Sequence, residues 1–213
     1  MSKTTIPRGG ITADAIDATL IADDAISEEH IDATVITGST ALAAQPASDD
    51  EVLISDAGTL KRLDIKHIQN TPAFEATLSS NQTVTDENNV KVQFDTEVFD
   101  TDGKYDHSTN YRFTPTIAGK YFVYTTIGGN SNANAELETI NCRIYKNGSA
   151  YANVHYDHRN VYARFVTGTT IAIIDMDADD YVEAYVYIDE RSGNPHVQSG
   201  EYSRFGAFRI TGI

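Results

Sequence analysis

The chain has 213 residues, a formal net charge of −15 and a single cysteine. Such acidity argues against a nucleic-acid partner, because no basic patch is present to displace counterions from phosphates. One thiol rules out an intrachain disulfide, and the lack of an 18-residue apolar run argues against membrane insertion.

Composition divides the chain. All 20 aromatic residues, 12 Tyr and 8 Phe, lie at or after Phe74, whereas Gly9 to Leu60 holds 11 Asp or Glu and no Lys or Arg. The segment before Phe74 therefore lacks the large side chains that fill a core, while residues 72–213 are enough for one ordinary domain. Three parts are expected: an extended anchor or shaft over 1–45, a short connector over 46–71 and a head over 72–213.

Isoleucine recurs every fifth residue in the first part, at Ile6, Ile11, Ile16, Ile21, Ile26, Ile31 and Ile36. In a helix, five residues turn about 140° past a full circle, so these side chains would spread around the circumference. In a strand, a step of five alternates faces. The pattern suits a segment wrapped on several sides by copies of itself. The seven isoleucines are thus the expected anchor contacts of an oligomer. Ile16-Asp17-Ala18-Thr19-Leu20-Ile21 also returns as Ile31-Asp32-Ala33-Thr34-Val35-Ile36.

The connector reads as a hairpin. Glu51–Asp56 is a strand, Ala57-Gly58-Thr59 a three-residue loop and Leu60–Asp64 the returning strand, with Asp64 then an N-cap for a helical turn. A lone hairpin is marginal in water, which again points to an oligomer. The ladder segments Gly10–Ile16 and Ile21–Ile26, with the hairpin segments Asp50–Asp56 and Gly58–Arg62, resemble the N-terminal regions of phage tail-fibre and appendage proteins. That resemblance implies attachment to other virion proteins through this segment. With no secretory apolar segment read, the expectation is synthesis in the host cytoplasm and a place in the virion.

The head reads as all-β. Ile140, Cys142 and Ile144 alternate with polar neighbours, as do Val182, Ala184, Val186 and Ile188. Further strands are expected at 74–78, 90–94, 111–114, 120–127, 150–156, 161–166, 169–175 and 203–210, with turns at Asp102-Gly103, Ile117-Ala118-Gly119 and Lys146-Asn147-Gly148. About ten short strands with regular turn signals argue for a sandwich or jelly roll. Cys142, in an apolar row, is expected to be buried and inert. The partner face of 181–188 carries Tyr181, Tyr185 and Tyr187, and three exposed tyrosines would need a cover, so they are candidate trimer contacts.

Chemistry-bearing clusters are few. His155 and His158 are three apart on a strand and point to opposite faces, against a shared metal. Asp175, Asp177, Asp179 and Asp180 lack the glycine and closing glutamate of a calcium loop. No nucleophile elbow, phosphate loop or paired-carboxylate signature is present. No catalytic residue, metal or cofactor is therefore assigned, and an enzyme is not expected. Gly128–Ala135 reads as a small, flexible, Asn-rich loop in which Asn130, Asn132 and Asn134 are candidates for binding a glycan through amides and nearby tyrosines.

Val92-Gln93-Phe94-Asp95, Tyr105-Asp106, Tyr111–Pro115, Ala118–Val123, Tyr145–Gly148, Asp180-Tyr181-Val182 and Ser203–Phe208 fall in the order found in complement C1q-like domains. The resemblance covers 72–213 and implies a ten-stranded jelly roll, related to tumour necrosis factor-like ligands, that assembles as a homotrimer. The disulfide cysteines of the complement head and its collagen-like stalk have no counterparts. The expected whole is a trimeric phage tail or head fibre whose head touches the host surface. The alternatives are a capsid-decorating protein without a receptor and a secreted lectin-like or cytokine-like trimer.

Overall fold

The structure, a computed structural model, describes residues 21, 26, 30–44, 46–47, 49–131 and 134–210. The chain forms two compact units, 1–46 and 47–213. In the first, Thr34–Thr37 makes one turn of α-helix, and Asp32 Oδ1 accepts from the Thr34 amide at 2.8 Å. Ile21, Ile26, Ile31 and Ile36 are exposed, Ile36 by 81%. Ile6, Ile11 and Ile16 lie outside the described residues.

The second unit begins with the hairpin of β1 (Glu51–Asp56) and β2 (Thr59–Asp64). Its loop has two residues, not three, because Thr59 pairs with Asp56. Ala57 and Gly58 both have positive φ, 51° and 82°, the requirement of the tight turn whose twist matches the strands. Asp64 stands at the N-cap of a 3-10 turn, Ile65–His67, without a side-chain capping bond. Its carboxylate pairs with Lys66 at 2.5 Å.

The remaining strands build a two-sheet jelly roll. They are β3 (Ala73–Thr77), β4 (Gln82–Thr83), β5 (Asn88–Lys91), β6 (Thr96–Asp100), β7 (Tyr105–Asp106), β8 (Arg112–Phe113), β9 (Gly119–Asn130), β10 (Leu137–Lys146), β11 (Ser149–Asp157), β12 (Phe165–Met176), β13 (Val182–Glu190), β14 (His196–Val197) and β15 (Arg204–Arg209). One sheet runs β11-β10-β13-β8-β7, with β5 also on β13. The other runs β4-β14-β9-β15-β3-β6, with β12 on the free edge of β9. The segments expected at 161–166 and 169–175 are one strand, β12, and Val161 sits in a turn, 79% exposed. The short β6 has no apolar alternation that periodicity would detect, since four of its five residues are exposed.

The facing sides of the two sheets make the core. Phe74 stacks on Tyr105 and Phe113, with ring centroids 4.4 and 4.7 Å away, and meets Phe205 edge-on at 5.1 Å. Tyr105 and Tyr121 are buried but donate their hydroxyls to the carbonyls of Phe94 and Ile117, which removes the cost of an unpaired polar tip. Cys142 is fully buried, and desolvation pushes its thiol up to about 12. An inert thiol follows.

Candidate functional site

Register fixes which end of the sandwich is which. On β15, Phe208 pairs with Ala73 and Phe122, and Arg204 pairs with Thr77 and Thr126. The chain thus enters the sandwich at the Phe122 end of β9 and leaves along Arg209 beside Tyr121. Arg209 also donates to the carbonyl of Lys66, tying the connector to this end. Asn130 is eight residues further along β9 than Phe122, about 26 Å away at strand rise.

At that far end, Gly128, Gly129 and Asn130 belong to β9. The expectation of a flexible loop from 128 is corrected here: the glycines serve packing. A Cβ on Gly129 would lie 2.4 Å from Ile140 Cδ1, inside the core, and one on Gly128 would lie 3.0 Å from both Phe165 and Tyr202 on the outer face. The loop itself begins at Ser131, which is buried; its hydroxyl donates to the carbonyl of Asn134 at 2.6 Å and its backbone N–H to the carbonyl of Arg164 at 3.0 Å.

Beside Gly128 opens a cavity of about 260 Å³ lined by Asn130, Phe165, Gln198 and Tyr202. The Phe165 and Tyr202 rings meet edge to face at 5.1 Å. Asn130 Nδ2 donates to Gln198 Oε1 at 3.3 Å, and His196 Nε2 lies 3.3 Å from the same oxygen. The backbone N–H of Gln198 donates to the Gly128 carbonyl at 2.7 Å and fixes the residue beside β9. Of the three predicted asparagines, Asn130 lines this cavity, Asn134 is exposed on the adjoining loop, and Asn132 lies outside the described residues. Sequence reasoning missed Phe165, Gln198 and Tyr202, which come from three segments. The available signal was Gly128 inside a strand, which marks a close approach of another group.

At the end of β13, in the other sheet, Glu190 is 4% exposed and neither of its carboxylate oxygens has a hydrogen-bond partner among the described residues. Burial first, then the carboxylates of Asp86 and Glu136, push it up to about 7. Among the described residues no group of three His, Cys, Asp or Glu is placed to hold a metal. At the aspartate-rich turn a lysine takes the cation's place: Lys146 Nζ lies 2.7 Å from Asp180 Oδ2 and donates to the Asp175 carbonyl at 2.6 Å. Lys146 and Asn147 hold the Asp180 carboxyl down at about 2. His155 instead faces Asn141, with Nδ1 2.9 Å from Oδ1.

Tyr181, Tyr185 and Tyr187 line the outer face of β13, as the alternation predicts, but they are not bare. Tyr185 stacks on Tyr145 at 4.1 Å. Arg112, Lys91 and Arg143 lie over the rings of Tyr181, Tyr185 and Tyr187 at 4.4, 5.9 and 5.9 Å. Cation–π contacts and the pair of Lys91 with buried Glu183 at 2.5 Å cover part of this face within the chain. Exposed apolar surface lies on the outer face of the other sheet. There Ile171 and Ile173 are 59% and 58% exposed, next in register to Tyr124 and Phe122, with Phe208 beside them at 38%.

The solved structures similar to this chain include the globular domain of zebrafish complement 1qA protein (12% identity, TM-score 0.48, 67% of this chain and 100% of that one). Murine APRIL is another (8% identity, TM-score 0.49, 65% and 98%). No curated protein matches. The C1q domain family matches residues 73–210, the jelly roll from β3 to the end of β15, and the chain belongs to that family.

Proposed function

We propose that the protein is a homotrimeric virion appendage of a bacteriophage whose jelly-roll head meets the host surface. One observation carries the reading: the chain enters the sandwich at one end, and the cavity of Asn130, Phe165, Gln198 and Tyr202 opens about 26 Å away at the other. An anchored head presents that far end outward. The virion context is supported by the isoleucine ladder and hairpin, which suit attachment to other virion proteins. Trimerisation is supported by family membership and by the exposed Ile171, Ile173 and Phe208 near the Phe122 end of β9, away from the cavity. Weak sites repeated three times per trimer, and in many trimers per particle, gain avidity of about 10²–10⁴ without new contacts.

The test is competition. Purified full-length protein should decorate host cells and block adsorption of virions. A protein that neither adsorbs nor competes, yet is found on the capsid of reconstructed particles, is a decoration protein, and the host-contact reading falls.

A further inference from the structure

We infer that the cavity at the far end of the head is a subsite for a neutral sugar ring. This rests on the host-contact reading for its biology but on the cavity alone for its chemistry. Sugar recognition needs a flat apolar surface for the ring's C–H face and fixed polar groups for its hydroxyls. Phe165 and Tyr202, 38% and 41% exposed, supply two aromatic surfaces at an angle to one another. Gly128 lets both approach the strand, since any Cβ there would sit 3.0 Å from each.

The polar groups are set around the same space. Gln198 Oε1 is occupied by Asn130 and lies within reach of His196. Gln198 Nε2 and the Tyr202 hydroxyl take no hydrogen bond among the described residues, so both remain for a ligand. The two glutamine groups divide the work. The oxygen fixes the side chain, and the nitrogen donates to an incoming hydroxyl, as a positioned group must if it is to add affinity.

Charge selects the ligand class. None of the four lining residues is an Asp, Glu, Lys, Arg or His, and the chain as a whole carries −15. A sialic or uronic acid would find no lysine or arginine in the lining to meet its carboxylate, on a chain of net negative charge. A neutral pyranose pays neither cost.

The experiment is saturation-transfer NMR on the full-length protein with a panel of methyl pyranosides and their uronic-acid counterparts. The expected result is contact with at least one neutral sugar at millimolar concentration. Binding should weaken about tenfold in Gln198→Ala, the loss of one hydrogen bond, and fall further in Phe165→Ala. Asn134→Ala, outside the cavity, should bind normally, and thermal melting should show each variant folded. Three results overturn the inference: no neutral sugar binds, the acids bind better, or the cavity variants bind like the wild type. Closure of the cavity by a neighbouring copy would give the first of these. A protein that adsorbs to cells equally well with Gln198→Ala and Phe165→Ala keeps the host-contact reading and loses this one. The reverse holds if sugars bind but cells do not.

Discussion

Glu190 is an acid whose neighbours are acids, and its titration should be visible in the stability of the whole fold. Its proton is held more tightly in the native state, at about 7, than at the ordinary value of 4.5. Stabilisation from the protonated form is complete below the ordinary value and is lost as pH rises to about 7. Glu190→Gln keeps the neutral amide at every pH. The variant should therefore gain on the wild type across this window, by up to about 3 kcal/mol above pH 7 at 1.4 kcal/mol per unit. Chemical denaturation at pH 4.5 and pH 8 measures it, and parallel curves would mean that Glu190 is solvated or paired. Gly129 is the second telling residue. Gly129→Ala drives a methyl against Ile140 Cδ1 and should cost about 1–3 kcal/mol, the range for overpacking a core. Ile140→Val in the same chain removes that atom and should recover part of the loss, whereas a purely conformational effect would leave the double variant no better.

At the scale of elements, the long alternating strands were readable and the irregular ones were not. β10 and β13 show inward rows at Ile140, Cys142 and Ile144 and at Val182, Ala184, Val186 and Ile188, because a strand buried on one face writes period two into its sequence. β4, β7, β8 and β14 are two residues long and carry no period. β9 runs on through Gly128-Gly129, residues that locally suggest a loop, because Gly129 faces Ile140 of the opposite sheet and Gly128 faces Phe165 and Tyr202. The cavity was legible only at Asn130. Phe165, Gln198 and Tyr202 arrive from a strand start, a strand end and a 3-10 turn, and only the folded topology joins them. The tyrosine row on β13 was read correctly as a face, but Lys91, Arg112 and Arg143 come from other strands, so its cover was not visible along the chain.

For the whole molecule, apolar surface stays exposed in a single chain. The ladder isoleucines described in the structure are exposed in a single chain, Ile26 and Ile31 by 56% and 58%. If copies wrap one another there, Ile21→Asp should impair incorporation into particles far more than Asp23→Ala. A carboxylate buried unpaired costs several kcal/mol, whereas a surface charge change is usually within about 0.5. Equal incorporation would make the ladder a solvated linker. In the head, exposed Ile171, Ile173 and Phe208 group around half-buried Phe122, and a stable interface built on them should bury more than about 1,000 Å². Sedimentation equilibrium on the full-length protein tests the account most directly. It predicts a mass three times the 23.3 kDa of one chain at micromolar concentration, with Ile173→Asp shifting the species toward monomer and Tyr187→Asp leaving the trimer intact. A wild-type monomer, or a trimer broken by Tyr187→Asp and indifferent to Ile173→Asp, would contradict it.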